Sequence, residues 1–312
     1  MKRFPFLFCL LCMFITGTPK ASAQYYFYDN NYYDNPVIFE LGGSVALMNC
    51  LTDIGGRKGI GKKFVKDLNI GNTQMAGSIY AAALYKNKIG VRLEGTFGQI
   101  RSYDSILKKV RATVFGRYER NLSFRSKISE FSITTELHPL FLFINWEGRD
   151  GEPPRYSPYI IAGIGFFSFN PQGRLGNTWI DLQPLSTEGE GFSEYPDRKV
   201  YKLQQISYPI GLGMKYDLSS MFNIRAEMVL RFTSTDYLDD ASTYFIDPAV
   251  FPNHFSGTKL TNAFLLSDRG YELDPSHTTI INKERGNPKN NDAFFTFNLK
   301  IGLILGRERI KR

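Results

Sequence analysis

Alternation with a period of two recurs along this chain from residue 37 to residue 305, and it restricts the fold more than any other feature of the sequence. Successive side chains of a strand point to opposite faces. A segment with one face in lipid and the other in a polar lumen therefore reads apolar, polar, apolar, polar for about ten residues. The clearest case lies near the C-terminus, where Phe295, Phe297, Leu299, Ile301, Leu303 and Leu305 share one face and Thr296, Asn298, Lys300 and Gly302 the other. In 222–233, Ile224, Ala226, Met228, Leu230 and Phe232 oppose Arg225, Glu227, Arg231 and Thr233. Segment 89–99 sets Val91, Leu93, Gly95 and Phe97 against Arg92, Glu94, Thr96 and Gly98. Segment 128–137 sets Phe131, Ile133, Thr135 and Leu137 against Glu130, Ser132, Thr134 and Glu136.

Four weaker segments bring the candidate strands to eight. In 37–49, Phe39, Leu41, Val45 and Leu47 alternate with Glu40, Gly42, Ser44 and Ala46. The others are the Ala- and Tyr-rich 75–86, the run 158–169, and 203–216 with Ile206, Tyr208, Ile210, Leu212, Met214 and Tyr216 on one side. A soluble β-sandwich also alternates, but two features favour a membrane barrel. The polar faces carry Arg92, Glu94, Glu130, Glu136, Arg225, Glu227, Arg231 and Lys300, and a barrel of about eight strands is filled by side chains that can pair with one another. The connections also alternate short and long: 86–89 and 217–221 are tight and 138–157 is intermediate, while 50–74, 100–121, 170–202 and 234–291 are long and rich in Gly, Asn, Asp and Pro. Outer-membrane barrels have short periplasmic turns and long external loops. The predicted fold is all-β: an eight-stranded antiparallel up-and-down outer-membrane β-barrel over 37–306, with those four loops outside.

The N-terminus reads as an export signal. Met1-Lys2-Arg3 is positive, Phe4 to Ile15 is apolar, and Ala21-Ser22-Ala23 is a small-x-small site. A membrane anchor would need a run of about 20 apolar residues. The expected organisation is a signal peptide at 1–23, a periplasmic segment at 24–36, the barrel, and a tail at 307–312. Cys9 and Cys12 would leave with the peptide, Cys50 would remain as the lone thiol, and losing Lys2, Arg3 and Lys20 would lower the formal charge from +8 to +5. Beyond residue 15 no apolar run approaches the length of a membrane helix, so a polytopic helical membrane protein is excluded.

Motifs for chemistry are few. Gly56-Arg57-Lys58-Gly59-Ile60-Gly61-Lys62-Lys63 approaches a phosphate-binding loop, but Lys63 stands where a Ser or Thr would hold magnesium. Residues 51–127 hold 16 Lys and Arg against 5 Asp and Glu. Arg57, Lys62, Lys63, Lys108 and Lys109 are therefore candidates to touch the phosphates of lipopolysaccharide, the plainer reading being a solvated face. Asp236, Asp239 and Asp240 in Thr235-Asp236-Tyr237-Leu238-Asp239-Asp240 would share one face of a short helix. They are weak candidates for a calcium site, with helix capping the simpler role. Glu188-Gly189-Glu190 reads as a turn, and His138 before Pro139 as a periplasmic turn. His254 and His277 share one loop without an activating partner at fixed spacing, so no catalytic residue is assigned. Nothing points to a cofactor, to nucleic acid or to a small-molecule substrate. Leu140, Phe141, Leu142, Phe143, Ile144 and Trp146 make the 138–157 connection too apolar to face the periplasm bare. Phe141, Phe143 and Trp146 are candidates for a docking contact, unless they extend the fourth strand or form an aromatic girdle.

Several motifs carry a resemblance. Phe39-Glu40-Leu41-Gly42-Gly43-Ser44 with Asn49 and Asp53-Ile54-Gly55-Gly56 resembles the opening of a Bacteroidota outer-membrane barrel family that includes PorG of the type IX secretion system. Ser157-Pro158-Tyr159 with Ala162-Gly163-Ile164-Gly165 and Phe169-Asn170-Pro171, then Pro184-Leu185 with Thr187-Glu188-Gly189, then Thr235 to Asp240, continue it over most of the chain. The resemblance implies a structural and interaction protein with no catalytic residues, docked from its periplasmic side to a lipoprotein ring formed by PorK with PorN. The other class kept in view is a binding protein or adhesin acting through the external loops.

Overall fold

A computed structural model describes residues 36–55, 70–113, 115–146 and 154–305. The expected signal peptide at 1–23, all but the last residue of the expected periplasmic segment at 24–36, the Gly56–Lys63 motif and the expected 307–312 tail lie outside the described residues. The strands are β1 (Val37–Leu51), β2 (Gln74–Tyr85), β3 (Ile89–Tyr103), β4 (Ser123–Leu137), β5 (Tyr156–Leu175), β6 (Thr178–Asp181), β7 (Gln204–Asp217), β8 (Phe222–Thr233) and β9 (Ala293–Leu305). Neighbours are antiparallel in the order β1-β2-β3-β4-β5-β7-β8-β9, and β9 returns to pair with β1 from Phe39↔Leu305 to Leu51↔Ala293. Eight strands thus close a barrel whose wall has no unpaired edge strand. β6 is an extra hairpin arm on β5, added above the barrel wall through a turn in which Gly176 takes φ +59°.

The eight expected strands are all present, and three run further than their alternation suggests. β3 continues to Tyr103, β4 begins at Ser123 rather than 128, and β5 continues to Leu175, so this side of the barrel stands tall above the apolar belt. The two tight turns lie at the opposite end. At Lys86 and Asn87 φ is +50° and +57°, and Lys88 N donates to Tyr85 O at 2.9 Å. Positive φ at both central residues gives the chain reversal whose twist matches the flanking strands.

Above the barrel the long connections carry short helices: α1 (Phe115–Arg120) and, before β9, α3 (Phe251–His254) and α4 (Gly257–Ser267). α2 (Pro139–Phe143) lies at the other end, after β4, with Pro139 in its first turn, where no N–H is needed. One apolar core closes the outer mouth and includes Met48, Ile100, Phe124, Phe167, Leu238 and Phe294. A second, with Leu185, Phe192, Ile246, Phe251 and Leu266, consolidates the external segments.

Candidate functional site

The lumen below the apolar mouth is filled by charge. Arg92 and Glu94 from β3, Glu130 and Glu136 from β4, Arg225, Glu227 and Arg231 from β8 and Lys300 from β9 are all buried inside. Each sits at the inward parity of its strand, which is what brings them together. Arg92 Nε donates to Glu136 at 2.5 Å and Nη1 to Glu227 at 2.6 Å. Arg225 bonds Glu40 through Nη2 at 2.5 Å and Glu136 through Nη1 at 2.9 Å. Lys300 Nζ lies 2.6 Å from Glu94 and 3.0 Å from Glu227, and Arg231 Nε donates to Glu130 at 2.5 Å. Tyr80 and Tyr159 supply hydroxyls to Glu40 and Glu227 at 2.5 and 2.8 Å, and each ring lies beneath the guanidinium groups of Arg92 and Arg225. Opposite charges in this number, each hydrogen-bonded, satisfy one another away from water.

His138 opens the turn after β4, as expected, but its side chain belongs to this interior. It is buried, with Nδ1 2.7 Å from Ser157 Oγ and Nε2 3.2 Å from Glu136. The alternation Glu136, His138 already placed it inward. Glu40, Tyr80, Tyr159, Lys215 and Asp217 also join the lumen, Lys215 lying 3.6 Å from Asp217. Parity would have found them too, since Glu40 faces the same way as Gly42, Ser44 and Ala46.

Outside, the opposite parity carries a predominantly apolar belt. Leu299 and Ile301 are 56% and 61% exposed, and Val45, Ile79, Val91, Ile133, Ile164 and Leu212 are exposed on the same outer surface. On β4, counting from Leu137, the ninth residue is Ser129 and the eleventh is Lys127, matching the 9–11 residues a tilted strand needs to cross. Phe97, Phe131 and Phe166 line its upper edge, where aromatic girdles sit. Backbone groups can be satisfied inside a bilayer only in a helix or a closed barrel, and here the barrel turns its apolar side out.

The chain is an outer-membrane β-barrel. No helix among the described residues is long and apolar enough to cross a membrane. No family model matches the sequence, and no curated protein matches it closely enough to count as a relative. Among solved structures the barrel is similar to Neisserial surface protein A, at 7% identity and TM-score 0.36, covering 86% of this chain and 97% of that one. It is similar to OprG of Pseudomonas aeruginosa at 11% identity and TM-score 0.36, covering 86% and 95%. It is similar to Ail, the attachment invasion locus protein of Yersinia pestis, at 10% identity and TM-score 0.33, covering 86% and 97%.

The external loops of this barrel are knitted into one cap. Arg120 on α1 binds Asp104 through Nε at 2.7 Å and also donates to the carbonyls of Asp53 and Arg285. Arg285 donates to Glu188 at 3.0 Å, to Asp240, and to Ser267 O at 3.1 Å. Glu188 in turn accepts from Ser242 N and Thr243 N at 3.0 and 2.8 Å. The 188–190 segment is a turn, as expected, but Glu188 ties the β6–β7 connection to the β8–β9 connection.

The Asp236–Asp240 segment corrects another expectation. It forms a turn with Asp240 at φ +66°, not a helix, so its acids cap nothing. Asp239 accepts from Ile54 N at 2.8 Å and Ala241 N at 3.0 Å, while Asp240 accepts from Thr187 and Tyr201 hydroxyls at 2.6 Å each. Among the described residues no group of three His, Cys, Asp or Glu side chains has the arrangement of a metal site. Burial, reinforced by the neighbouring Asp53 charge, pushes Asp236 up to about 9 and Asp239 up to about 7. Burial also raises Asp53, and raises Asp292 well above its usual range beside Asp239, Asp236 and Asp53. Glu190 is pushed to about 8 by burial and then by Asp240 and Glu188.

The remaining candidates divide. Arg57, Lys62 and Lys63 lie outside the described residues, as does the Lys109 side chain, and Lys108 is exposed. His254 Nε2 lies 2.8 Å from Glu194 and His277 Nε2 2.9 Å from Asp268, so each histidine does have a carboxylate partner. Ser193 donates to Glu194 at 3.0 Å rather than to the imidazole. At the periplasmic end Phe141 is buried, which removes it from any docking surface, Trp146 is half-buried, and Phe143 is 82% exposed beside exposed Leu142.

Proposed function

We propose that this barrel serves type IX protein secretion as a structural and interaction component, docking from its periplasmic side to a lipoprotein ring of the PorK and PorN type. The observation that carries the proposal is the periplasmic α2 corner. A five-residue helix turns Phe141 in and presents Leu142 and Phe143 outward, and exposed apolar patches mark interaction sites. The closed interior supports the same reading from the other direction. Ion pairs fill the lumen and an apolar core covers its mouth, so the barrel contributes surfaces rather than a passage. The sequence resemblance to the PorG-containing family names the partner class.

The test is co-purification from detergent extracts of cells expressing Leu142→Ser/Phe143→Ser in place of the native chain. Loss of the ring lipoprotein with the barrel still folded supports the proposal; full recovery of the ring contradicts it. A second reading, a binding protein or adhesin, is favoured by the knitted cap, since pre-ordered loops bind without a large ordering cost. It predicts recovery of an external ligand that survives the α2 changes.

A further inference from the structure

We propose that the tall β3–β4–β5 wall is a docking site for the phosphates of an outer-leaflet lipid, a glucosamine-phosphate lipid of the lipid A class, held by Arg101, Arg125 and Lys127. The inference rests on the outer-membrane placement with the long loops outside, and is independent of ring docking. It moves lipid recognition from the loop lysines to the strand wall.

The first observation is level. Outward residues on β4 run Leu137, Thr135, Ile133, Phe131, Ser129, Lys127 and Arg125, and on β3 Ile89, Val91, Leu93, Gly95, Phe97, Gln99 and Arg101. The first basic residue therefore falls eleven residues from the periplasmic end of β4, where a tilted strand leaves the hydrocarbon. Phe97, Phe131 and Phe166 lie just below, so an acyl chain on the belt would bring its headgroup to this row.

The second observation is an unfavourable pairing. Arg101 and Arg125 are direct cross-strand partners on the outer face, since Ile100, Ser102, Phe124 and Ser126 between them point inward. Like charges opposite one another destabilise a sheet. Neither they nor Lys127 form an ion pair with a described carboxylate. Arg101 Nε is buried without a hydrogen-bond partner among the described residues. The nearest acid on the β5–β6 arm, Asp181, is already engaged by Asn170 and Gln172 at 3.0 and 2.7 Å.

The third is preorganisation. The Arg125 guanidinium lies 4.2 Å from the centroid of Trp179 on β6, and its Nε donates to Gln172 at 2.8 Å. β6 thus holds Arg125 in place over the wall. A bridging phosphate would relieve the Arg101–Arg125 repulsion and accept charge-assisted hydrogen bonds from both, while Lys127 adds a point charge beneath.

The test is binding of fluorescent diphosphoryl lipid A to the full-length barrel in neutral detergent, with folding checked by heat-modifiable electrophoretic migration. Arg101→Gln/Arg125→Gln/Lys127→Gln should bind at least about tenfold more weakly, and exposed Lys127→Gln alone should weaken binding measurably. The charge-matched Lys199→Gln/Lys259→Gln/Lys289→Gln on the cap should bind as the wild type does. Dephosphorylated lipid A should lose most of its affinity, and inorganic phosphate alone should not displace the lipid. Equal binding by the wall and cap variants would overturn the site. Displacement by inorganic phosphate would overturn the assignment to a lipid.

Discussion

Arg92 on β3 and Glu227 on β8 meet at 2.6 Å from opposite walls of the barrel, their strands four places apart in a ring of eight. With Arg225 and Lys300 beside them, they cross-brace the cylinder in addition to the backbone pairing of its wall and the apolar core at its mouth. Removing one partner of a buried pair leaves the other charge uncompensated, at a cost of about 3–5 kcal/mol. Arg92→Met should therefore lower the unfolding free energy of the barrel in lipid vesicles by that amount, read as a lower urea midpoint at unchanged slope, whereas a midpoint within error of wild type would show that the brace is dispensable.

Leu299 sits on the lipid face, paired with Val45 on β1 and Ala226 on β8. The same three residues border a shallow apolar groove of about 480 Å³ on the outer surface. Leu299→Arg places a charge near mid-bilayer and should cost about 2–4 kcal/mol. Reversible urea unfolding in vesicles measures it, and tolerance of arginine there would argue against lipid contact.

The cap carries its own pH dependence. Asp236 and Asp239 are raised from the usual aspartate range to about 9 and about 7. A carboxyl whose folded value is raised binds its proton more tightly when folded. Its contribution is therefore fully present below about pH 4 and is lost as pH rises through the folded value. Asp53 and Asp292, raised in the same direction, add to the trend, and Arg120 opposes it at Asp53 and Asp239. Amide exchange in 234–292 should accelerate from pH 5 to pH 9 beyond the intrinsic chemical rate, while strand amides of β8 and β9 stay protected. Asp236→Asn should flatten that rise.

Arg285 bonds the loops before β7 and before β9 at once, through Glu188 and Asp240. Arg285→Met leaves both carboxylates buried without their cation. Limited proteolysis should then cut the 182–203 and 234–292 segments faster while the barrel core survives intact. Unchanged cleavage would mean that the two apolar cores alone hold the cap.

The barrel was legible in the sequence because parity is local. Residues two apart share a face whatever the rest of the chain does, so Arg92, Glu136, Arg225 and Lys300 could each be placed from their own strand. The upper parts of β3, β4 and β5 were not legible, since Ile100 to Tyr103, Ser123 to Lys127 and Asn170 to Leu175 stand above the lipid and lose the apolar half of the pattern. β6 is four residues long and has no pattern to show. The Asp236–Asp240 segment resembles a helix start in sequence because capping is a local rule. Its actual partners, Ile54 for Asp239 and Tyr201 for Asp240, come from loops on other strands. Phe141 and Phe143 are alike in sequence and opposite in exposure, a difference that only the turn geometry of α2 decides.

The most direct test of the account is a nitroxide scan along β9 in lipid vesicles, one label at each position from Phe295 to Leu305, with Cys9, Cys12 and Cys50 changed to Ser. Collision with oxygen, which concentrates in the hydrocarbon, should peak at 297, 299, 301 and 303 and fall to a minimum at 296, 298, 300 and 302. A flat profile, or one with a period near 3.6, would contradict a membrane barrel with an ion-paired interior.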